Sequence, residues 1–173
     1  MHYHQYYPID VVNGPGTRST LFVAGCEHHC RGCYNQTTWR VDSGLLFTQA
    51  MEDRIISDLQ DTSIPRRGLT LSGGDPLHPH NVPSVLKLVK RVRAECPGKD
   101  IWMWTGYTVD ELTDAQLEVV ECVNHIIDGK YIEALRDPAL QWRGSSNQQI
   151  YRIHERCFYN VTEELTKCKR SSS

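Results

Sequence analysis

The feature that most constrains the fold of this chain is an alternation of two kinds of apolar segment. Four short segments have the composition of buried strands, and three segments between them repeat apolar residues at helical spacing. The strand-like segments are 18–24, 69–72, 101–105 and 124–128, and the helix-like segments are about 48–60, 81–95 and 108–120. The alternation predicts βαβ units, and therefore an α/β fold with a parallel sheet and right-handed crossovers.

Residues at the predicted helix starts agree with this assignment. Thr48 is placed to cap the first helix, and Pro83 suits the first turn of the second. Thr108 and Glu111 have the spacing of a capping box at the start of the third. We therefore predict three helices that begin at these positions.

The end of the chain differs in composition from the rest. Of the 173 residues, 1–154 are predicted to form one domain. Residues 155–173 have few apolar positions, so we predict a weakly ordered C-terminal extension. Cys157 and Cys168 in that extension are interpreted as incidental exposed thiols.

Charge and hydropathy limit the class of function. The chain has 19 basic and 21 acidic side chains, so no strong positive field favours a nucleic-acid backbone, and nucleic-acid binding is not expected. No run of about 18 apolar residues is present, and the first eight residues lack the pattern of a secretory signal. We therefore expect a cytoplasmic protein without membrane association.

Three of the seven cysteines, Cys26, Cys30 and Cys33, lie within eight residues. They follow the first predicted strand, where ligands of parallel α/β folds bind. A 4Fe-4S cluster normally takes four cysteines, so three would leave one iron open to a non-protein ligand. The amine and carboxylate of S-adenosylmethionine could chelate that iron, and one electron could then cleave the sulfonium to a 5′-deoxyadenosyl radical.

Two simpler interpretations of the cysteines remain open. Zinc could bind the three thiolates together with His28 or His29, although zinc modules usually take a second, distant ligand pair. A redox pair could form between Cys30 and Cys33, but it would leave Cys26 unexplained. If a cluster is bound, both histidines are expected to be loop residues that tune polarity.

A glycine-rich loop follows the second predicted strand, at the same edge of the sheet. Its sequence is Ser-Gly-Gly-Asp-Pro at 72–76. Gly73 and Gly74 allow the backbone to approach a ligand closely, and exposed carbonyls there can accept hydrogen bonds from an ammonium group. The loop is therefore a candidate binding element for the amino group of S-adenosylmethionine.

These residues resemble the radical S-adenosylmethionine superfamily, whose signature is three cysteines at this spacing. Within this superfamily the chain is similar to the glycyl-radical activating enzymes. The segment from Tyr3 to about Gln148 resembles, among these, the family that activates the anaerobic ribonucleoside-triphosphate reductase. The resemblance is carried by residues 13–18, 25–26, 33–35, Trp39, 102–107, 128–130 and 142–148. The fold it implies is a partial, open (β/α) barrel of the radical S-adenosylmethionine type.

The resemblance also implies a set of site residues. Cys26, Cys30 and Cys33 would ligate one 4Fe-4S cluster. The contacts to S-adenosylmethionine would come from Gly32, Cys33, Tyr34, Gly73 and Gly74. Additional candidates near its methionyl group or a cation are Asp75, Asp128 and Lys130. No catalytic side chain is expected beyond the cluster and S-adenosylmethionine.

Partners are implied by the resemblance as well. The substrate would be a glycine loop of the large subunit of the anaerobic ribonucleoside-triphosphate reductase, on which a glycyl radical is generated. A low-potential donor such as a flavodoxin would supply the electron, and the chain would form a homodimer within a heterotetramer. Two alternatives remain. The target could be a different glycyl-radical enzyme, or the chain could be a non-catalytic binding module stabilised by zinc.

Overall fold

The computed structural model describes residues 1–163 and 166–169. Its centre is a sheet to which the described residues contribute nine strands, in the order β3-β1-β2-β4-β5-β6-β7-β8-β9. The strands are β1 His2–Asp10, β2 Arg18–Val23, β3 Leu45–Leu46, β4 Gly68–Gly73, β5 Asp100–Trp104, β6 His125–Asp128, β7 Gln149–His154, β8 Cys157–Asn160 and β9 Thr166–Cys168. The helices are α1 Gln49–Gln60, α2 Val82–Glu95 and α3 Asp114–Val120.

The predicted parallel sheet forms the middle of this larger one. The strands β2, β4, β5 and β6 are adjacent and parallel, with pairs such as Val23 and Gly73 in register. They bury almost all their side chains, as expected for parallel strands covered on both faces. The α/β class is therefore confirmed.

Antiparallel strands flank the parallel ones on both sides, and the sheet is not closed. β1 pairs with β2 at one side, and β7 pairs with β6 at the other. The predicted open barrel is therefore not confirmed, and the observed architecture is a mixed α/β fold with one large sheet. The alternating-segment pattern does not include β1, because its residues are mostly half-exposed and polar.

Two of the three predicted helix starts are confirmed. The Thr48 side chain accepts a hydrogen bond from Met51 N at 3.2 Å, and Pro83 lies in the first turn of α2. The third helix starts later than predicted, because Leu112 is extended and ends a short 3₁₀ turn capped by Thr108. A second capping box, from Thr113 and Gln116, begins α3.

The segment after residue 154 extends the sheet instead of leaving it. Phe158 in β8 is buried, and β8 pairs with β7 and β9. Cys157 and Cys168 form a disulfide, so they are not the incidental free thiols expected from the composition of the segment. The remaining part of the predicted extension, residues 164–165 and 170–173, lies outside the described residues.

The core lies between the parallel strands and the helices. Leu21, Leu71 and Met103 of the strands pack with Ile55 and Val89 of the helices, all of them buried. In the described part of the chain, no helix combines the length and the apolar composition needed to cross a membrane.

A single buried arginine joins the amino ends of the parallel strands. Arg18, at the start of β2, donates to the Thr70 hydroxyl at 2.9 Å and to the Leu69 carbonyl at 3.0 Å, both on β4. It also pairs with Asp100 at the start of β5, at 2.6 Å. Three strands are therefore tied together at this end by one fully buried cation.

Candidate metal centre

The three clustered cysteines lie at the opposite, carboxyl end of the parallel strands, as predicted. Cys26, Cys30 and Cys33 all line one open cavity and are all free thiols. The loops that follow β4 and β5 line the same cavity, through Gly73–Gly74 and Thr105–Gly106. The cavity thus collects the ends of three neighbouring strands, the usual position of a ligand site in a parallel sheet.

Backbone hydrogen bonds fix the cysteine loop against its surroundings. Gly25 N donates to Thr38 O at 2.6 Å, and Cys26 N donates to Trp39 O at 2.9 Å. Within the loop, Cys33 N donates to Cys30 O at 3.2 Å, which brings these two residues into one turn. The thiols therefore sit on a backbone whose path is set by other parts of the chain.

The glycine loop packs directly against the cysteine loop. A Cβ atom on Gly74 would lie 2.5 Å from the carbonyl oxygen of Gly25, so this close approach requires glycine. Gly73 has φ +101, in the left-handed region, where a Cβ would also meet the backbone of Val23 at 2.7 Å. The close approach that these two glycines permit is to another loop of the chain, and their contact with a ligand stays a prediction.

Burial disfavours the ionised form of two of the thiols. Loss of solvent raises the pKa of Cys26 to about 11, and it also raises the pKa of Cys30. These thiols are therefore neutral near pH 7 without a cation beside them, and a metal that binds them displaces their protons.

The donor set fits an iron–sulfur cluster better than a single zinc ion. His28 is hydrogen-bonded to Asp75, and the ring of His29 packs edge-on against Trp39. Neither histidine is therefore free to complete a zinc site with the three thiols. Three free thiols around one cavity suit a 4Fe-4S cluster that leaves one iron open to a non-protein ligand.

The residues predicted to contact S-adenosylmethionine divide into two groups. Cys33, Gly73 and Gly74 line the cavity with the other thiols. Tyr34 instead points to solvent, with 82% of its surface exposed, and its hydroxyl accepts a hydrogen bond from Arg136 at 3.3 Å. Gly32 is also exposed and lies against Glu133, so these two residues are on the outer side of the loop.

The three additional candidates lie beside the cavity without lining it. Asp75 is fully buried among protein donors. Asp128 accepts a hydrogen bond from Val109 N at 2.8 Å, and burial raises its pKa. Lys130 is exposed. The residue between the last two, Gly129, does line the cavity.

Several lining residues have no role that the sequence alone assigns. Thr105 and Gly106 follow the third parallel strand, so the same rule that located the glycine loop could have located them. Trp39 and Gln148 belong to runs that carry the family resemblance, but their spacing gives no chemical signal. Tyr131 comes from an irregular loop, whose path the sequence pattern does not indicate.

Comparison with known proteins agrees with this geometry. Residues 12–151 match the family described as a 4Fe-4S single cluster domain. The fold and site therefore define an iron–sulfur protein with a single cluster.

Named relatives specify the family within that class. The chain is 66% identical to the anaerobic ribonucleoside-triphosphate reductase-activating protein of Escherichia coli strain K12, over 88% of this chain and 99% of the relative. It is 63% identical to the protein of the same name from Vibrio cholerae, with the same coverage of both chains. The phage T4 protein of that name is 48% identical, over 87% of this chain and 94% of its own length. The chain belongs to the anaerobic ribonucleoside-triphosphate reductase-activating protein family.

Proposed function

We propose that this protein is a radical S-adenosylmethionine enzyme that generates a glycyl radical on an anaerobic ribonucleoside-triphosphate reductase. The observation that carries the proposal is the meeting of three free thiols and the Gly73–Gly74 loop in one cavity. Relatives that share up to 66% of the sequence are named as activators of that reductase. The residues that line the cavity and the names of these relatives point to the same reaction.

The proposed binding groups come from the cavity lining and, for Gly32 and Tyr34, from the outer side of the cysteine loop. Cys26, Cys30 and Cys33 hold the 4Fe-4S cluster, and S-adenosylmethionine is bound by Gly32, Cys33, Tyr34, Gly73 and Gly74. When bound, the reduced cluster and S-adenosylmethionine together supply a 5′-deoxyadenosyl radical, which takes a hydrogen atom from the glycine of the reductase. No protein side chain is proposed as a catalytic acid or base.

The chain's own task is to hold these groups in place and limit access of water. The backbone bonds of Gly25 and Cys26 to residues 38 and 39 fix the cysteine loop before any ligand binds. Trp39 and Trp104 form apolar walls of the cavity. Asp128 and Lys130, on either side of Gly129, are proposed to face the methionyl carboxylate or a nearby cation.

The proposed partners follow from the reaction. A low-potential electron donor such as a flavodoxin reduces the cluster in the cytoplasm, and a homodimer of this chain joins the reductase in a heterotetramer. The four parallel strands are proposed to correspond to the partial (β/α) barrel of the superfamily. An incomplete barrel leaves room for a protein loop to enter, whereas a small molecule would be poorly enclosed.

The proposal is tested with protein reconstituted without oxygen. Iron and sulfide per chain, 5′-deoxyadenosine release from S-adenosylmethionine, and a glycyl radical on added reductase are measured, the last by electron paramagnetic resonance. We expect about four irons per chain, and loss of all three signals in Cys26→Ala. The matched control is Cys122→Ala, because this thiol is free but lies outside the cavity.

Each other outcome assigns a different function. A colourless protein with one zinc and no 5′-deoxyadenosine would establish a zinc-stabilised module instead. Cleavage of S-adenosylmethionine with a glycyl radical only on some other enzyme would change the proposed target and keep the chemistry.

A further inference from the structure

The carboxylate of Asp75 is a buried acceptor at the centre of the loops around the cavity. Its Oδ1 accepts from Leu77 N and from the Thr105 hydroxyl, both at 2.9 Å. Its Oδ2 accepts from Gly106 N at 2.9 Å and lies 2.7 Å from His28 Nε2. Both carboxylate oxygens accept hydrogen bonds in the other contacts, so we assign Nε2 as the donor in this one.

These bonds connect the three loops that bring residues to the cavity. Asp75 itself belongs to the glycine loop, directly after Gly74. Thr105 and Gly106 belong to the loop after β5, and His28 belongs to the cysteine loop. The backbone repeats the connection, because Asp75 N donates to Gly25 O at 2.7 Å. One residue therefore sets the spacing between the thiols and the glycine backbone.

The side chain of His28 is buried, whereas its neighbour His29 is exposed. The side chain of His28 is 5% exposed, and its ring packs edge-on against Tyr107 at 4.5 Å. A Cβ on Gly106 would overlap the His28 ring, so glycine at 106 makes room for it. His29 is exposed, and its ring packs against Trp39 instead of Asp75. The two adjacent histidines thus have different tasks.

We propose that Asp75 and His28 are positioning residues, which fix the cysteine loop at the distance from Gly73–Gly74 that S-adenosylmethionine needs to reach the cluster. The inference rests on the proposed function and deepens it at the same site. It assigns Asp75 an indirect role, because protein donors already engage both of its carboxylate oxygens. Groups hydrogen-bonded to metal ligands commonly affect metal affinity or activity by about 10-fold to 100-fold, and we expect an effect of similar size from residues that position the loop carrying the ligands.

The substitutions are chosen to distinguish a displaced cysteine loop from a protein that fails to fold. Asn at 28 is too short for its amide to reach Oδ2, whereas the amide of Gln extends to about the place of Nε2. His28→Asn is therefore the disrupting variant, His28→Gln the conservative rescue, and His29→Asn the same change at the neighbouring histidine. His29 has φ 47, a conformation that Asn tolerates. Asp75→Asn is the independent second variant, because its amide would place a donor against another donor.

The measurements do not depend on turnover alone. For each reconstituted protein we would measure iron per chain, the equilibrium binding of S-adenosylmethionine, and the change in the electron paramagnetic resonance spectrum of the reduced cluster when S-adenosylmethionine is added. Rates of S-adenosylmethionine cleavage at a series of its concentrations then show whether a substitution changes KM, the maximal rate, or both.

In His28→Asn and Asp75→Asn we expect full iron content with S-adenosylmethionine affinity weakened about 10-fold or more and a reduced spectral change. His28→Gln and His29→Asn should resemble the parent protein. If His28→Asn binds S-adenosylmethionine like the parent, or His28→Gln fails as badly as His28→Asn, the positioning role is wrong. If the parent protein itself does not cleave S-adenosylmethionine, the proposed function fails instead, so the two failures are distinguishable.

Discussion

At the amino ends of the four parallel strands a buried cation ties three strands together, whereas at their carboxyl ends a buried anion ties together three loops around a cavity. Arg18 bonds to β4 and β5 with its guanidinium enclosed. Asp75 bonds to the loops after β2 and β5, next to open thiols. A buried charged group with several partners thus joins strands at one end of the sheet and shapes a cavity at the other. Stability and chemistry should therefore respond to different substitutions.

We call the amino ends of the parallel strands, which Arg18 joins, the closed end, and their carboxyl ends, which surround the cavity, the open end. The largest effect is expected at the closed end. Arg18→Leu leaves Asp100 with one exposed partner, Arg67, and we expect the free energy of unfolding to fall by about 3 kcal/mol or more. Denaturant unfolding without oxygen measures it. In Arg67→Leu, which removes the partner that is 61% exposed, the loss should stay below about 1 kcal/mol. Equal losses in the two variants would contradict the assignment of Arg18 as the tie.

The disulfide provides a second test of the closed end. Cys157 pairs with His154 at the end of β7, and this part of β7 lies beside His125 at the start of β6. Its two cysteines are 11 residues apart, so its removal should cost about 2–3 kcal/mol. The variant is Cys157→Ser with Cys168→Ser, measured by thermal unfolding. The parent protein in dithiothreitol should match it, and cleavage of S-adenosylmethionine should be unchanged. A loss of cleavage would show that the two ends are coupled.

At the open end, Gly74→Ala should affect binding as well as stability. The added Cβ would press on Gly25 O, which costs about 1–3 kcal/mol and pushes the glycine loop away from the cysteine loop. We expect weaker binding of S-adenosylmethionine by calorimetry. Gly98→Ala has no atom within 4 Å of its Cβ, so it should cost only backbone strain and leave binding intact. Intact binding in Gly74→Ala would argue against a role for this loop.

The smallest effect concerns His125, at the closed end, whose ring stacks on Trp102 at 4.4 Å. Burial lowers its pKa below the usual 6.5. The unfolded chain therefore takes up a proton more readily, and stability falls as the pH drops below about 6.5. His125→Phe keeps the stacking and should lose less stability than the parent between about pH 7.5 and about pH 5.5. The difference, from urea unfolding, should be below about 1 kcal/mol; identical pH dependence would remove His125 as a contributor.

The parallel strands and the thiol loop could be predicted because each depends on local pattern. Continuous apolar runs form the buried strands, and the spacing of Cys26, Cys30 and Cys33 is short enough for one loop. The ties at both ends could not be predicted, since Arg18 and Asp100, or His28 and Asp75, are far apart in sequence. Nothing in the sequence around His28 and His29 shows which of the two turns inward.

The sequence pattern does not predict the antiparallel strands, for a different reason. β1 and β8 are mostly half-exposed, so they lack the continuous apolar run of a central strand. The pairing of Cys157 with Cys168 depends on the register of β8 and β9, which composition does not encode. Composition therefore indicates a weakly packed segment, although Phe158 anchors it in the core.

A sheet that does not close has two outer edges, and each could pair with a foreign strand. At one edge β3 covers only His2 and Tyr3 of β1. The rest of β1 is interrupted by register shifts on both sides of residues 5–7, and Pro8 offers no amide hydrogen. At the other edge, β9 is three residues long. Along the described edges an incoming strand meets only short or irregular runs of free backbone groups, which protects the protein from edge-to-edge aggregation.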